Sequence, residues 1–390
     1  MPLKRIEEGK LDILAVAGYL NLPEERIENL IERRLLVPNK GRYQQLFHFE
    51  TSVASIERGS VLYQKENGDF ELIHGFPKIR RAMLLEPALQ KQFINTEVLR
   101  VEEKMNGYNV RVISFKDKLI ALTRSGNVCP YSTEKANLLL NSEFFKDNPN
   151  YVLHGEMVGP ENPYVPKEIY GIDSLAFFVF DIREKNTGDP LPISRRLQLA
   201  EEYEFMQAPL LGEYELENAP EAIFKHIQEL GKVGHEGVVI KDPDMLISPI
   251  KYTCSQSNCS DLLHAFKFYN DVGRDYLFSR VVREGFQSSE WKESEEELRT
   301  RCLRLGKSIL TPMIETVMKV RDGEDIFDDV RIRVQNLETL EEFEEYSRLL
   351  GLEAIFSKPE KMGDDYLVNI HKINRSTTDK TEAMWNGDLW

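Results

Sequence analysis

The stretch VEEKMNGYNVRV, residues 101–112, decides the fold. Asn106-Gly107 is a favoured type I′ turn, and the Val and Tyr residues around it favour strands, so the stretch predicts a β-hairpin. Lys104 stands directly before that turn, behind two glutamates. Such a lysine is commonly a solvated edge charge, and the alternative is a lysine held at the mouth of a site. This stretch alone favours the first interpretation, because short motifs often arise by chance.

Size and composition describe a globular protein of more than one domain. A chain of 390 residues is too long for one ordinary core. Its 41% hydrophobic and 29% charged residues fit a folded protein rather than a disordered one. No apolar run approaches the roughly 20 residues that span a bilayer, and the charged N-terminus MPLKRIEEGK has no signal-peptide core behind it. We therefore expect a cytoplasmic protein with no membrane partner.

The four cysteines predict neither disulfides nor a zinc site. Cys254 and Cys259 are the only close pair, and no His or Cys at ligand spacing completes a site around them. We expect reduced, structural thiols.

The charge of the chain limits how it can bind nucleic acid. A formal net charge of −15 has the wrong sign for a general nucleic-acid coat. The acidic residues concentrate in the C-terminal third, however, whereas FPKIRRAMLL (76–85) and SRRLQL (194–199) are basic. The net charge thus argues against tight nonspecific binding, but not against a nucleic-acid site along one face.

Hydrophobic periodicity divides the chain into four regions. The first 60 residues predict a helical and strand unit, and residues 61–262 are rich in strands with helices between them. Residues 263–330 predict long helices, and residues 331–390 a small α+β module. The many tight turns of the second region favour an α+β fold on antiparallel sheets over a doubly wound parallel sheet.

Several polar residues of the second region stand at the ends of predicted strands or between apolar residues. Each has an ordinary interpretation: a strand-end ion pair for Arg124 or Lys241, a capped turn for Glu156, and core packing for Phe178 and Phe180, which alternate on one strand face. Their order along the chain favours a functional interpretation of the set. They are Arg124, Glu156, Phe180, Asp181, Glu236, Lys241 and Lys251.

This order resembles the covalent nucleotidyltransferase superfamily of polynucleotide ligases and capping enzymes. The superfamily's motifs match Lys104-x-x-Gly107, Thr123-Arg124-x-Gly126, Gly155-Glu156, Phe180-Asp181, Glu236 through Lys241, and Lys251, over residues of about 100–255. Within the superfamily the chain looks most like an ATP-dependent RNA ligase of the archaeal homodimeric type. Asn109 supports this, since DNA ligases usually carry arginine at that place.

The resemblance implies the fold and its partners. It implies an α+β nucleotidyltransferase (ATP-grasp-like DNA/RNA ligase) core of antiparallel sheets, with a helical N-terminal unit and a helical plus small α+β C-terminal region. Residues 61–262 would be the adenylation domain, and residues 263–330 would hold two copies together as a homodimer. The substrate would be RNA with 5′-phosphate and 3′-OH ends.

The resemblance also implies the cofactors and the site residues. ATP would adenylate Lys104, AMP would pass to an RNA 5′-phosphate, and a 3′-OH would displace it to seal or circularise RNA. Mg²⁺ or Mn²⁺ would bind Glu236, and Arg124 would bind RNA. Lys104, Lys241 and Lys251 would be catalytic. The implied nucleotide-binding residues are Glu102, Glu103, Asn106, Gly107, Asn109, Arg124, Glu156, Phe180, Glu236, Lys241 and Lys251.

Elementary chemistry explains these residue types. A lysine amine has a pKa of about 10.4 and must lose its proton to attack phosphorus. We expect burial and the cations Lys241 and Lys251 to lower the pKa of Lys104. Phe180 offers a flat face to a purine and Arg124 a forked phosphate donor.

Two residues depart from the superfamily pattern, and other functions stay open. Asn106 stands where aspartate is the norm, and Thr253 stands where a second lysine often follows Lys251. A DNA ligase or a capping-type guanylyltransferase has the same core, although both normally continue into a basic OB-fold barrel. A catalytically inactive nucleotide- or RNA-binding protein is a further alternative, against which the intact Lys104, Glu236 and Lys251 argue.

Overall fold

The computed structural model describes residues 11–389, and these residues form four β-sheets with helices packed around them. The first ten residues, where no signal-peptide core is predicted, and Trp390 lie outside this range. Three sheets are antiparallel throughout, and one contains a single parallel pair of strands. The predicted α+β class on antiparallel sheets is confirmed.

The N-terminal unit packs two helices on the first sheet. Its elements are α1 (Ile13–Leu20), α2 (Glu24–Glu32), β1 (Leu36–Pro38), β2 (Phe47–Phe49), β3 (Val61–Gln64) and β4 (Phe70–Ile73). The strands pair in the order β1-β2-β3-β4. Apolar residues at helical spacing on α1 and α2, among them Val16 and Ile27, are buried against this sheet.

The central region contains the second and third sheets. Its strands are β5 (Arg80–Arg81), β6 (Val98–Lys104), β7 (Tyr108–Phe115), β8 (Lys118–Thr123), β9 (Tyr151–Val158), β10 (Ala176–Glu184), β11 (Leu210–Glu215), β12 (Gly237–Lys241) and β13 (Ile250–Thr253). Its helices are α3 (Leu85–Gln92), α4 (Pro130–Leu139), α5 (Glu143–Asp147), α6 (Ile193–Glu202) and α7 (Ala219–Lys232). The second sheet has the order β11-β6-β12-β13-β5, and the third has the order β10-β9-β7-β8.

The predicted hairpin around Asn106-Gly107 is wrong. Strand β6 pairs with β11 and β12 in the second sheet, whereas β7 pairs with β8 and β9 in the third. A type I′ turn needs a positive φ at both central residues, and neither Asn106 nor Gly107 has one. The stretch instead crosses from one sheet to the other. Glycine is required there, because a Cβ on Gly107 would lie 2.1 Å from the carbonyl oxygen of Met157.

Alternation along the second sheet separates a buried face from a polar one. Leu99 and Val101 of β6 join Val238 and Ile240 of β12 in a core that α3 and α7 cover. The other face carries charged residues at every second position of β6 and at one position each of β12 and β13. They are Arg100, Glu102 and Lys104 on β6, Lys241 on β12 and Lys251 on β13. In VEEK, Glu102 and Lys104 therefore belong to the polar face, which is turned toward the third sheet, whereas Glu103 lies on the other face in register with Val238.

The C-terminal region is helical and then mixed, as predicted. Its elements are α8 (Ser255–Lys267), α9 (Arg274–Trp291), α10 (Glu295–Arg321), β14 (Phe327–Val334), α11 (Leu337–Leu349), β15 (Ala354–Phe356), β16 (Glu360–Met362), β17 (Asp365–Ile373) and α12 (Arg375–Trp385). The fourth sheet has the order β14-β17-β15, with β16 on β17. Helix α12 has no clear signal in the sequence.

The third sheet is the centre of the packing. One of its faces shares a core with the first sheet, where Ile113 and Leu122 meet Val61 and Ile73. A second core joins it to α4 and α6 and to the fourth sheet and α11, with Ile332 and other apolar residues of the C-terminal region. The N-terminal and C-terminal regions therefore both rest on the strands that follow Lys104.

Candidate active site

A cleft of about 1380 Å³ opens on the polar face of the second sheet. Residues from the first sheet's loops, both central sheets and the C-terminal helices line it. All of the site residues predicted from the sequence lie along this cleft. They are Glu102, Glu103, Lys104, Asn106, Gly107, Asn109, Arg124, Glu156, Phe180, Glu236, Lys241 and Lys251.

Lys104 ends β6 inside the cleft and forms an ion pair with Glu236. Its Nζ lies 2.6 Å from Glu236 Oε2, and the two side chains are only 20% and 16% exposed. Burial alone would lower the pKa of Lys104, but the charges of Glu236 and Glu156 raise it above the ordinary value. The prediction that its neighbours lower this pKa is therefore wrong for the free protein. The sequence pattern did not reveal that two carboxylates would be the nearest charges.

Lys241 is buried under the cleft floor between other charged groups. Its Nζ donates to Glu102 Oε2 at 2.5 Å and to the carbonyl oxygen of Phe180 at 2.8 Å. Arg196, from the basic SRRLQL segment, donates to the other oxygen of Glu102. Burial would raise the pKa of Glu102, but the charges of Lys241 and Arg196 hold it below its ordinary value. Glu102 is thus the shared counter-ion of two cations.

Lys251 lies on β13 and has no counter-ion. Within residues 11–389 its ammonium group makes no hydrogen bond or ion pair. Burial lowers its pKa to about 8, and the nearby charge of Lys104 acts in the same direction. Of the three predicted catalytic lysines, Lys251 is the one whose ammonium group is free to meet an anion.

Asn109 and Glu156 face each other across β7 and β9. Asn109 Oδ1 is buried and has no hydrogen-bond partner in the described part of the chain, which leaves an acceptor for a ligand. Burial raises the pKa of Glu156 to about 7, and the charge of Glu236 adds to the rise. The arrangement offers two side chains suited to hydroxyl groups.

Phe180 lines the cleft at a β-bulge. The register shifts between Val179 and Asp181, so Phe180 has no partner on β9. Phe178 and Phe180 nevertheless pack in the same small apolar cluster, while Phe177 and Val179 lie in the other core. The predicted alternation of the two phenylalanines on one strand face is therefore confirmed, and the bulge changes the alternation only after Phe180. Phe178 is 9% exposed in a small core that includes Met105, whereas Phe180 packs edge-on against Phe76 at 5.2 Å and reaches the cleft.

Glu103, Asn106 and Arg124 occupy the margins of the cleft. Glu103 is buried and lies 2.7 Å from His235 Nδ1. The backbone N–H of Asn106 donates to the Tyr170 hydroxyl at 2.8 Å, which fixes the crossing between the sheets. Arg124 follows β8 and is exposed, so its guanidinium is open to a large substrate.

The C-terminal helices contribute residues that the sequence did not single out. Arg280 of α9 reaches Asp261 of α8 at 2.7 Å and covers the ring of Tyr276, and all three line the cleft. Arg283 of α9 is fully buried and donates to Thr253. Thr253, the position where a second lysine often stands, is therefore a structural contact of α9. No local signal marks these contacts, because they depend on how the helices dock.

The cysteines, the metal-ligand clusters and the hydropathy of the helices each bear on a prediction from the sequence. All four cysteines are free, as predicted, and Cys302 is exposed. Residues 11–389 contain no cluster of three or more His, Cys, Asp or Glu side chains that could hold a metal by themselves. Among the same residues, no helix is both long and apolar enough to cross a membrane.

The comparisons with known proteins agree with this site. A family model described as RNA ligase matches residues 97–253, and one described as the C-terminal region of ligase Pab1020 matches residues 264–388. Two solved structures, forms 1 and 2 of an archaeal ATP-dependent RNA ligase, share 38% identity with this chain. Each has a TM-score of 0.90 and covers 98% of this chain and 100% of its own. The chain belongs to the archaeal ATP-dependent RNA ligase family.

Two further relatives extend the similarity of this ligase. An uncharacterized protein of Methanocaldococcus jannaschii is 38% identical over 398 aligned residues, and the alignment covers 100% of each of the two chains. A structure from Aquifex aeolicus, described provisionally as an ATP-dependent DNA ligase, has 23% identity and a TM-score of 0.86 over 94% of this chain and 100% of its own. The second similarity concerns the fold alone. The family assignment confirms the resemblance inferred from the motifs around Lys104.

Proposed function

We propose that the protein joins RNA ends through a covalent adenylate on Lys104. The observation that carries the proposal is a lysine in a cleft, with the unpaired cation Lys251 beside it and the unsatisfied amide oxygen of Asn109 on the third sheet. Family membership supports ATP as the nucleotide and RNA as the substrate. The side chains around Lys104 support the individual roles.

The nucleoside of ATP would bind at the third sheet. Phe180 offers its ring to the adenine, and Asn109 and Glu156 offer acceptors to the ribose hydroxyls. The α-phosphate would then lie beside Lys104, with its charge balanced by Lys251 and by the buried Lys241. The Lys104 ammonium gives its proton to the paired Glu236 carboxylate, and the neutral amine attacks the α-phosphorus. A nitrogen–phosphorus bond forms, the nitrogen releases a second proton to water, and the phosphorus–oxygen bond to pyrophosphate breaks with its electron pair on the leaving group.

RNA would take over AMP in the second step. An oxygen of the RNA 5′-phosphate attacks the adenylate phosphorus and releases the Lys104 amine. A 3′-hydroxyl then attacks the activated 5′-phosphate, forms the phosphodiester and releases AMP. Exposed Arg124 is placed to hold the incoming 5′-phosphate by its forked donor groups.

Glu236 would hold Mg²⁺ or Mn²⁺ in this cleft. Hard cations prefer oxygen ligands, and Mg²⁺ commonly uses one or two carboxylates together with substrate phosphates and water. The carboxylate of Glu236 fits such a site, with bound nucleotide and water as the source of the remaining ligands. The bound cation would neutralise phosphate charge.

We further propose a cytoplasmic homodimer. Leu303, Leu310 and Ile314 follow each other at helical spacing on α10, and each is at least 57% exposed. Phe278 of α9 is 71% exposed. Large apolar side chains grouped in this way are typical of an interface between subunits.

Intact-mass measurement after incubation with ATP or GTP tests the adenylation. We expect one AMP per chain from ATP and no adduct from GTP. The second assay is sealing of 5′-phosphorylated single-stranded RNA, with DNA of the same sequence as the comparison. A GMP adduct would favour a capping-type guanylyltransferase, sealing of DNA alone a DNA ligase, and nucleotide binding without an adduct an inactive binding protein.

A further inference from the structure

Arg81 stands beside Lys251 at the edge of the second sheet. Strand β5 pairs in parallel with β13, and Arg81 is in register with Lys251, which is in register with Val239 on β12 and through it with Glu102 on β6. Residues in register project from the same face of a sheet. Arg81, from the basic segment 76–85, therefore belongs to the polar face that forms the cleft.

Arg81 and Lys251 are two neighbouring cations without counter-ions. Within residues 11–389, neither side chain makes a hydrogen bond or ion pair, and both are half-buried. The charged groups around Arg81 are Arg280, Glu236 and Asp261. Asp261 is paired with Arg280, and Glu236 is paired with Lys104. Positive charge is therefore in excess at this edge, and a bound anion would relieve the repulsion.

The expected direction of a bound nucleotide across the second sheet indicates which anion Arg81 would bind. The nucleoside-binding side chains lie on the third sheet, whereas the order β6-β12-β13-β5 leads from Lys104 to Lys251 and then to Arg81. Arg81 lies three strands from Lys104 and two residues away in register. Spacings of about 4.8 Å between strands and about 3.3 Å per residue therefore place the two backbones roughly 16 Å apart. Both side chains project from the same face of the sheet, so a triphosphate that begins at Lys104 can extend over Lys251 toward Arg81.

We propose that Arg81 binds the terminal phosphates of ATP and forms, with Lys251, the subsite for the pyrophosphate leaving group. This inference rests on the proposed function. When Lys104 attacks the α-phosphorus, the departing oxygen gains the electron pair and its negative charge. The Arg81 guanidinium stays protonated at any usable pH and can hold two phosphate oxygens at once. The Arg81 guanidinium would stabilise the negative charge that develops on the departing pyrophosphate.

Binding in a Lys104→Ala background tests the subsite without turnover. Titration calorimetry with ATP and with AMP compares Lys104→Ala with Lys104→Ala/Arg81→Met. We expect ATP affinity to fall about 10- to 100-fold in the double variant while AMP affinity changes less than about twofold. Arg81→Lys should recover part of the loss. Arg299→Met, at an exposed arginine of α10, is the control and should change neither affinity. Equal ATP affinity with and without Arg81 would overturn the proposal.

Sealing of chemically adenylated RNA distinguishes the terminal phosphates from the RNA 5′-phosphate. This step needs no ATP, so Arg81→Met with an intact Lys104 should seal within about twofold of the parent. A sealing defect with unchanged ATP affinity would assign Arg81 to RNA and contradict the inference. Failure of the parent to form a lysyl adduct would refute the proposed function instead. The comparison of ATP with AMP would still decide the role of Arg81.

Discussion

Lys241 Nζ and Glu102 Oε2 lie 2.5 Å apart, with both side chains almost completely buried. Arg196 binds the second oxygen of the same carboxylate. One negative charge therefore supports two cations beneath the cleft. Since Lys241 is held in this way, its charge is fixed in place before any nucleotide arrives, which is the arrangement that electrostatic catalysis needs.

Glu102→Gln should be strongly destabilising. The substitution leaves two buried cations without a counter-ion, which typically costs about 3–5 kcal/mol. Urea unfolding at neutral pH measures the change in the free energy of unfolding. Glu213→Gln is the control: Glu213 pairs with Arg100 on the same sheet but is half exposed, so we expect a loss within about 1 kcal/mol. Equal losses in both variants would contradict the role assigned to Glu102.

The same carboxylate predicts a pH dependence of stability. The folded protein holds the pKa of Glu102 below its ordinary value, so the stabilisation is complete above the ordinary carboxyl pKa of about 4.3 and is lost as pH falls below it. In Glu102→Gln this part of the acid sensitivity should be absent. Unfolding curves from pH 6 to pH 3 compare the slopes of the two proteins.

The sequence predicted which residues share the cleft better than it predicted the path of the chain through it. Lys104, Glu156 and Lys251 converge because each lies on a strand whose apolar neighbours determine the face of its sheet, and Glu236 directly precedes β12. The hairpin failed because turn propensity is local, whereas the contact of Gly107 with Met157 depends on the packing of two sheets.

Contacts between residues far apart in the chain could not be predicted from the sequence. Arg196 and Arg280 appear as ordinary basic residues of helices, and only the folded chain brings them to Glu102 and Asp261. The net charge likewise predicts a poor nucleic-acid binder. The cleft nevertheless contains unpaired cations, because much of the acid lies on the exposed faces of the C-terminal helices.

Phe180→Ala should weaken nucleotide binding, and Phe178→Ala should weaken the fold. Loss of stacking and apolar contact at Phe180 should cost about 1–3 kcal/mol of ATP affinity. Phe178 is buried, so its truncation leaves a cavity and should cost about 3–5 kcal/mol of stability. Calorimetry with ATP and thermal unfolding of both variants separate the two effects. Normal ATP affinity in the Phe180 variant, with a loss in a folded Phe178 variant, would reverse the assignment.

ATP affinity should fall as the pH rises through about 8. The pKa of Lys251 in the free protein is about 8, so its positive charge decreases above that value, and a bound triphosphate favours the protonated form. Binding of α,β-methylene ATP, which cannot release pyrophosphate, avoids turnover. Lys251→Arg stays charged and should flatten the profile between pH 7 and pH 9. An identical slope in both proteins would show that another group titrates.

The exposed apolar side chains of α10, Leu303, Leu310 and Ile314, should determine the oligomeric state. A stable interface buries at least about 1,000 Å², so light scattering at micromolar concentration should give about twice the chain mass of 45.2 kDa. Leu310→Glu/Ile314→Glu should give monomers. Leu246→Glu, at a leucine that is 86% exposed, should leave the mass unchanged. A parent protein of one chain mass would reject the dimer.

Lys104→Ala should remove the AMP adduct completely while the protein stays folded. Lys104 is 20% exposed, and its Nζ contacts Glu236 and, at 3.5 Å, the carbonyl oxygen of Met105, so its truncation should leave the protein folded. Lys104→Arg should fail equally, because a guanidinium remains protonated and cannot act as an amine nucleophile. Lys118→Ala, at an exposed lysine that begins β8, should form the adduct normally. Both Lys104 variants should still seal chemically adenylated RNA, since that step needs the cations of the cleft but no free amine. A folded Lys104→Ala protein that still traps AMP from ATP would refute the mechanism.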